Sequence, residues 1–274
     1  MAAKLELLAA VAATGVREVE VTSFVSPTKV PALADAAELA AELWRYPDIE
    51  FSALVASPGG ATRAVRAGLR SIEYVVCASD EFSMTNVGRS TAESTRMIAD
   101  IARIAHQAGA SIEVIIAAAW DCPFAGPTPP QRVLDVASAA AELGVDRLAV
   151  ADTIGTVTPG RTTSLIEALR PRIGGTPLGA HFHNTRGTGL ASAYAAVICG
   201  VTRLDASIGG LGGCPFAPGA TGNIATEDLV YLLTDSGIDT GIDLQAAIAA
   251  AGVARSIVGH ELPGALLAAG DRRR

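Results

Sequence analysis

The sequence predicts an α/β fold, a (β/α)8 TIM barrel N-terminally truncated by about one strand. Short, continuously apolar runs alternate with Ala- and Leu-rich helical runs almost from end to end. Strands that are apolar along their length and separated by helices pair in parallel, with both sheet faces covered. The repeating unit is roughly 30 residues long and keeps its composition, which fits one barrel better than two domains. The tally is about seven strands against eight or nine helices, and the chain opens on a helix, so a closed barrel needs a strand before residue 3.

Residues 3–14 read as a helix stopped at Gly15, the residue type that most readily takes the left-handed conformation past a helix end. The strand Val16–Ser23 follows, then a helix around Ala32–Arg45 and the strand Glu50–Ala56. A helix around Ala61–Ala67 leads to the strand Ser71–Cys77, and the long helix Thr91–Gln107 leads to the very apolar strand Ser111–Ala118. Next come a helix from about Pro130 to Leu143, the strand Arg147–Ala151 and a helix around Pro159–Leu169. The strand Pro177–His183, the helix Gly187–Cys199 and the strand Arg203–Ile208 complete the barrel pattern, with helices near 225–236 and 243–251. Residues 1–274 thus read as a single catalytic domain, of which about 243–274 form a C-terminal helical extension.

Half of the 274 residues are hydrophobic, which excludes a disordered chain, and a net charge of −7 argues against nucleic acid or an anionic membrane as the main partner. The four cysteines form no CxxC pair and no disulfide framework, so a reducing, cytoplasmic compartment is expected. Glu6 interrupts the opening apolar run, which weakens a signal-peptide reading, and no apolar stretch approaches the roughly 20 residues that span a bilayer.

The sharpest local feature is His181-Phe182-His183, at the end of its strand. Alternation puts both imidazoles on one side, where they form either half of a divalent-metal site or a hydrogen-bonded pair lining the barrel. After the last strand, Gly209 to Asn223 is too glycine-rich to be an element and sits where barrel active-site loops sit, so it reads as an active-site loop or a set of tight turns. Cys214 within it reads as an accessible thiol, whereas Cys122 reads as structural or as adjoining the site. Asp152 stands at a strand tip, and Glu20 and Thr22 alternate to one side of an otherwise apolar strand. A carboxylate in such a strand is costly unless paired, so Glu20 is either an active-site group or half of a buried ion pair, and Asp205 poses the same choice. These features converge on one barrel face, which argues for an enzyme.

At these residues the chain resembles the 3-hydroxy-3-methylglutaryl-CoA lyase family of metal-dependent barrel lyases. The matching stretches are Glu20-Val-Thr-Ser-Phe-Val-Ser-Pro27, Ala78-Ser-Asp-Glu-Phe82 with Asn86, Asp152-Thr-Ile-Gly155, His181-Phe-His183, and the run from Gly209 through Asn223 to Tyr231. The resemblance implies a lyase using Mg2+ or Mn2+ that cleaves 3-hydroxy-3-methylglutaryl-CoA to acetyl-CoA and acetoacetate. It puts His181, His183 and Asn223 on metal ligands and Cys214 on the proton donor. Asp152, Glu20 and His181 complete the catalytic set, and Ser23, Asn86 and Arg186 fall among substrate-binding groups. An acyl-CoA substrate and assembly as a homodimer or other homo-oligomer are implied as well.

Two departures from the family pattern stand out. A first-strand aspartate ligand and its neighbouring arginine have no counterpart, matching the strand missing from the count. Where the family reads His-Cys-His-Asp-Thr-Tyr-Gly, this chain has His181-Phe-His-Asn184-Thr-Arg186-Gly, which changes charge beside the metal. A related substrate such as citramalyl-CoA, a Claisen-type synthase running in the condensing direction, and an inactive barrel serving as a partner subunit are the alternatives.

Overall fold

The computed structural model describes residues 1–212 and 222–272. Its first four strands are β1 (Glu18–Phe24), β2 (Glu50–Val55), β3 (Ser71–Cys77) and β4 (Ser111–Ala117). A small antiparallel hairpin, β5 (Asp121–Cys122) and β6 (Gly126–Pro127), precedes β7 (Arg147–Asp152), β8 (Leu178–Phe182) and β9 (Arg203–Asp205). The sheet order is β1-β2-β3-β4-β7-β8-β9, each neighbour parallel to the next.

The expected tally of about seven strands matches this sheet, which is a seven-stranded parallel half-barrel and not a closed eight-stranded barrel. Closure needs a strand between β1 and β9, and the described residues contain none. The first helix, α1 (Ala2–Ala12), runs directly into β1 and packs against α10 (Leu244–Val258). Among the described residues no helix is long and apolar enough to cross a membrane.

Alternation along the strands separates two layers. Ile72, Tyr74 and Val76 of β3, and Ile112, Val114 and Ile116 of β4, join the main apolar core with Ile98, Ile101 and Ala102 of the helix α5 (Thr91–Gln107). Residues of the other parity point into the barrel, where Val75 packs with Ile115, Ala149 and Ala151. The bounds of α5 match expectation because a reciprocal cap fixes its start. Ser90 Oγ accepts from Glu93 N, and the Glu93 carboxylate accepts from Ser90 N.

The helix expected over Ala32–Arg45 is broken into a turn at Pro31–Leu33, the short α2 (Ala36–Ala40) and a turn at Leu43–Arg45. Lys4 reaches across from α1, donating to the Ala32 carbonyl and pairing with Asp35, which diverts that carbonyl from a helical ladder. Conversely, Asp80–Val87 forms an unforeseen helix, α4, capped by Ser79 and closed by Gly88 in the left-handed region. The expected strand Arg203–Ile208 stops at Asp205, because Ser207 turns to bridge Ala225.

A belt of charge crosses the floor of the half-barrel. Arg147, at the start of β7, donates to Glu18 at 3.2 Å, to Glu50 at 3.0 Å and to Ser71 at 2.8 Å. Arg203, at the start of β9, pairs with Glu18 at 2.5 Å and with Glu113 of β4. Glu18 lies on β1, so the two edge strands, unpaired through their backbones, are tied by a side-chain bridge. Replacing Arg203 with Ala leaves Glu113, only 3% exposed, without its main partner, and removing one member of a buried pair costs about 3 kcal/mol. Urea denaturation should show that loss for Arg203→Ala, and much of it should return in the double variant Arg203→Ala/Glu113→Ala.

Candidate metal and acid-base site

The carboxyl ends of β7 and β8 meet the segments 207–212 and 222–225. His181 lies on β8 and His183 just past it, with ring centroids 5.1 Å apart, so the imidazoles share one side as alternation requires. His183 forms an antiparallel backbone bridge with Asn223. That bridge is flanked by bonds from Ile224 N to Phe182 O and from Asn184 N to Gly222 O. The Asn223 amide donates to Leu211 O at 2.9 Å, which leaves Asn223 Oδ1 buried without a partner; His183 Nδ1 is likewise buried and unpartnered.

Burial, reinforced by the charge of neighbouring His181, lowers His183 to about 4, and the Thr153 carbonyl and the Asn223 side chain beside its ring oppose that shift. The imidazole is therefore neutral at physiological pH. An imidazole nitrogen and an amide oxygen side by side, both buried and neither in a hydrogen bond of normal geometry, suit a divalent cation. His181 adds the third donor, and its Nδ1 lies 3.5 Å from Asp205 Oδ2. Among the described residues no group of three or more His, Cys, Asp or Glu is placed to hold a metal ion, so the set on hand is two imidazoles and one amide.

Asp152, at the tip of β7, is 1% exposed and accepts from Thr156 N at 3.1 Å and Val157 N at 2.9 Å. Burial raises its carboxyl despite those bonds. Arg186 is exposed and donates to the Ile154 and Gly155 carbonyls at 2.8 and 3.3 Å, making no ion pair among the described residues. Ser23 is buried, its hydroxyl donating to Leu54 O at 3.2 Å, and Asn86 lies on α4 with Nδ2 4.0 Å from Cys77 Sγ. The Cys122 sulfur accepts from Ser79 Oγ, Phe124 N and Ala125 N, a structural setting. Cys214 lies outside the described residues.

Glu20 departs from both readings of the sequence in how it is partnered. Instead of a cation, its neighbours are Glu73, Asp205 and Glu113, and it shares a hydrogen bond with Glu73. Solvent reaches this side chain on edge strand β1, yet crowding by protein atoms and the surrounding carboxylates push its carboxyl well above the usual range. Burial and then Asp205 raise Glu73 to about 7, while Ser52 Oγ donates to it. Sequence reasoning missed Glu73 and Glu113, although each interrupts an apolar run at the third residue, and β3–β4 register sets them side by side.

The HMGL-like family model matches residues 1–253. The chain belongs to that family. It is a lyase, similar to the (R)-citramalyl-CoA lyase of Chloroflexus aurantiacus, at 39% identity over 96% of this chain and 86% of that protein. The hydroxymethylglutaryl-CoA lyase of Pseudomonas mevalonii is 38% identical over 90% of this chain and 82% of its own length. An HMG-CoA lyase from Acinetobacter baumannii, solved with coenzyme A and 3-methylmalate, superposes with a TM-score of 0.93 at 35% identity, covering 98% of this chain and 88% of that one.

The carboxyl cluster of this HMGL-like chain sets a pH dependence. An acid whose folded value is raised contributes stability below its unfolded value, and that contribution is lost as pH rises through the folded one. For Glu73 the window runs from 4.5 to about 7. His183 acts oppositely between about 4 and 6.5, so the comparison must be made against a variant. Glu73→Gln should leave the thermal midpoint nearly unchanged at pH 4.5 and raise it above wild type by several degrees at pH 8, measured by calorimetry at both values.

Proposed function

We propose that this chain is a divalent-metal-dependent carbon–carbon lyase that cleaves 3-hydroxy-3-methylglutaryl-CoA to acetyl-CoA and acetoacetate. The observation that carries the reading is the pair of buried, unpartnered acceptors, His183 Nδ1 and Asn223 Oδ1, at the carboxyl face of the barrel beside His181. His181, His183 and Asn223 hold Mg2+ or Mn2+ in this reading. When bound, the cation polarises the substrate's hydroxyl and an adjacent oxygen.

Asp152, with its carboxyl raised by burial and oriented by two loop N–H groups, accepts the hydroxyl proton. The C–O electron pair then forms the ketone carbonyl. The breaking C–C bond leaves its electrons on the thioester as an enolate. Cys214 gives the proton that converts this enolate to acetyl-CoA. Glu20, its carboxyl pushed up by burial and by neighbouring Glu73 and Asp205, shares a hydrogen bond with Glu73 inside the barrel. Arg186 offers an unpaired guanidinium to a substrate carboxylate, with Asn86 and Ser23 in supporting positions.

A second reading, cleavage of citramalyl-CoA to acetyl-CoA and a 2-oxo acid, is favoured by the Chloroflexus relative. The two substrates differ by one methylene between the carbinol carbon and the carboxylate, and a pocket discriminates one methylene by roughly 10- to 200-fold. Acetyl-CoA release from each thioester, assayed side by side, decides between them; release from neither overturns both.

Chelation should abolish turnover and Mn2+ restore it, and His183→Ala should weaken Mn2+ binding by about 100-fold in equilibrium dialysis. Full turnover in excess chelator counts against the metal. Cys214→Ser should lower kcat by two or more orders of magnitude while leaving Mn2+ affinity unchanged; wild-type kcat removes the thiol from the mechanism.

A further inference from the structure

We propose that the C-terminal stretch Leu262–Leu266 is a strap that positions Asn223 for cation binding, clamped in place by Glu227 and Asp228. The proposal rests on the reading of Asn223 as a metal ligand. Both acids lie in the first turn of α9 (Thr226–Asp235), where carboxylates ordinarily face solvent, yet Glu227 is 0% and Asp228 8% exposed. Both Asp228 oxygens are given to the strap: Oδ2 accepts from Ala265 N and Oδ1 from Leu266 N, each at 2.8 Å. Glu227 Oε2 accepts from Gly209 N at 3.0 Å, and Gly264 N donates to Gly209 O at 3.2 Å. The two peptide faces of Gly209 are thus gripped from opposite partners.

The strap also presses on the segment that holds the ligand. A Cβ on Gly210 would lie 2.9 Å from Pro263 Cγ and 3.2 Å from Asn223 O. At Gly222 a Cβ would collide with the Gly210 and Gly212 carbonyls, and at Gly264 with Glu227 Oε1. Gly222 is packed backbone on backbone against Gly210 and Gly212, and the strap bears on that pair through the Pro263 ring, so a shift of the strap is passed on to it. Leu262 anchors the other side, in an apolar cluster with Ile208, Leu211, Ala250 and Ala254. The path of contacts runs from the strap to Gly209 and Gly210, then to the Leu211 carbonyl, which fixes the Asn223 amide and so aims Oδ1. Glu227 and Asp228 are positioning residues on this account, because neither touches the site itself.

The test measures binding of Mn2+ alone to the purified full chain, from the EPR signal of free ion, alongside circular dichroism. Gly264→Ala and Asp228→Ala are each expected to weaken Mn2+ affinity by about tenfold, as loss of an outer-shell support does, with secondary structure retained. Wild-type affinity in the folded variants, even with a lowered thermal midpoint, overturns the proposal and leaves the strap a stabilising element only. If the buried changes prevent folding, Pro263→Gly, at an exposed position, is read instead, with a two- to threefold loss expected and no change counting against the strap. His183→Ala and Asn223→Ala are run in parallel. Should they bind Mn2+ like wild type, the metal reading itself fails; should they lose it while the strap variants keep it, only the strap is wrong.

Discussion

Two guanidinium groups govern the floor of this half-barrel. Arg147 and Arg203 enter from β7 and β9, and between them they hold Glu18, Glu50 and Glu113 from three other strands. Without these cations the interior would gather carboxylates with no counter-charge, which a low-dielectric space disfavours strongly. With them, β1 and β9 are drawn together through Glu18 although their backbones do not pair. Above the floor Val75, Ile115, Ala149 and Ala151 form an apolar patch, while Asp205 on β9 links the charged interior to His181 at the strand tips.

The site inverts the logic of the floor. Its groups are kept neutral: burial holds His183 unprotonated, and Asn223 offers an amide oxygen whose own N–H is already engaged. Neutral acceptors without protein donors leave the positive charge to come from a ligand. The Glu20–Glu73 pair shows the same economy of charge, since two carboxyls in hydrogen-bond contact raise each other's affinity for a proton where two anions would repel.

Much of this was legible in the sequence, for identifiable reasons. β3 and α5 coincide with the runs Ser71–Cys77 and Thr91–Gln107, because an apolar run and a capping serine are local signals. The imidazole pair was legible too, since a spacing of two in a strand fixes a common side. Helix α4 was missed despite the local signals of Ser79 and Gly88, but most of the other failures are long-range. Glu18 and Arg203 are 185 residues apart, and nothing near either announces the other. The break in the helix before Arg45 comes from Lys4 on another element, and the early end of β9 comes from Ala225. Asp228 would pass for an ordinary first-turn acid until its partners at Ala265 and Leu266 are seen.

The bridge between His183 and Asn223 has a consequence for how the molecule tolerates change. The two side chains come from distant parts of the chain, but their separation is set by a single backbone pairing, like two fittings bolted to one bracket. The pairing sets that spacing however far apart the two residues stand in the sequence. Substitutions elsewhere on the barrel mouth that spare this pairing therefore leave the imidazole and the amide in the same relation, so the rest of the mouth can be varied around a fixed pair.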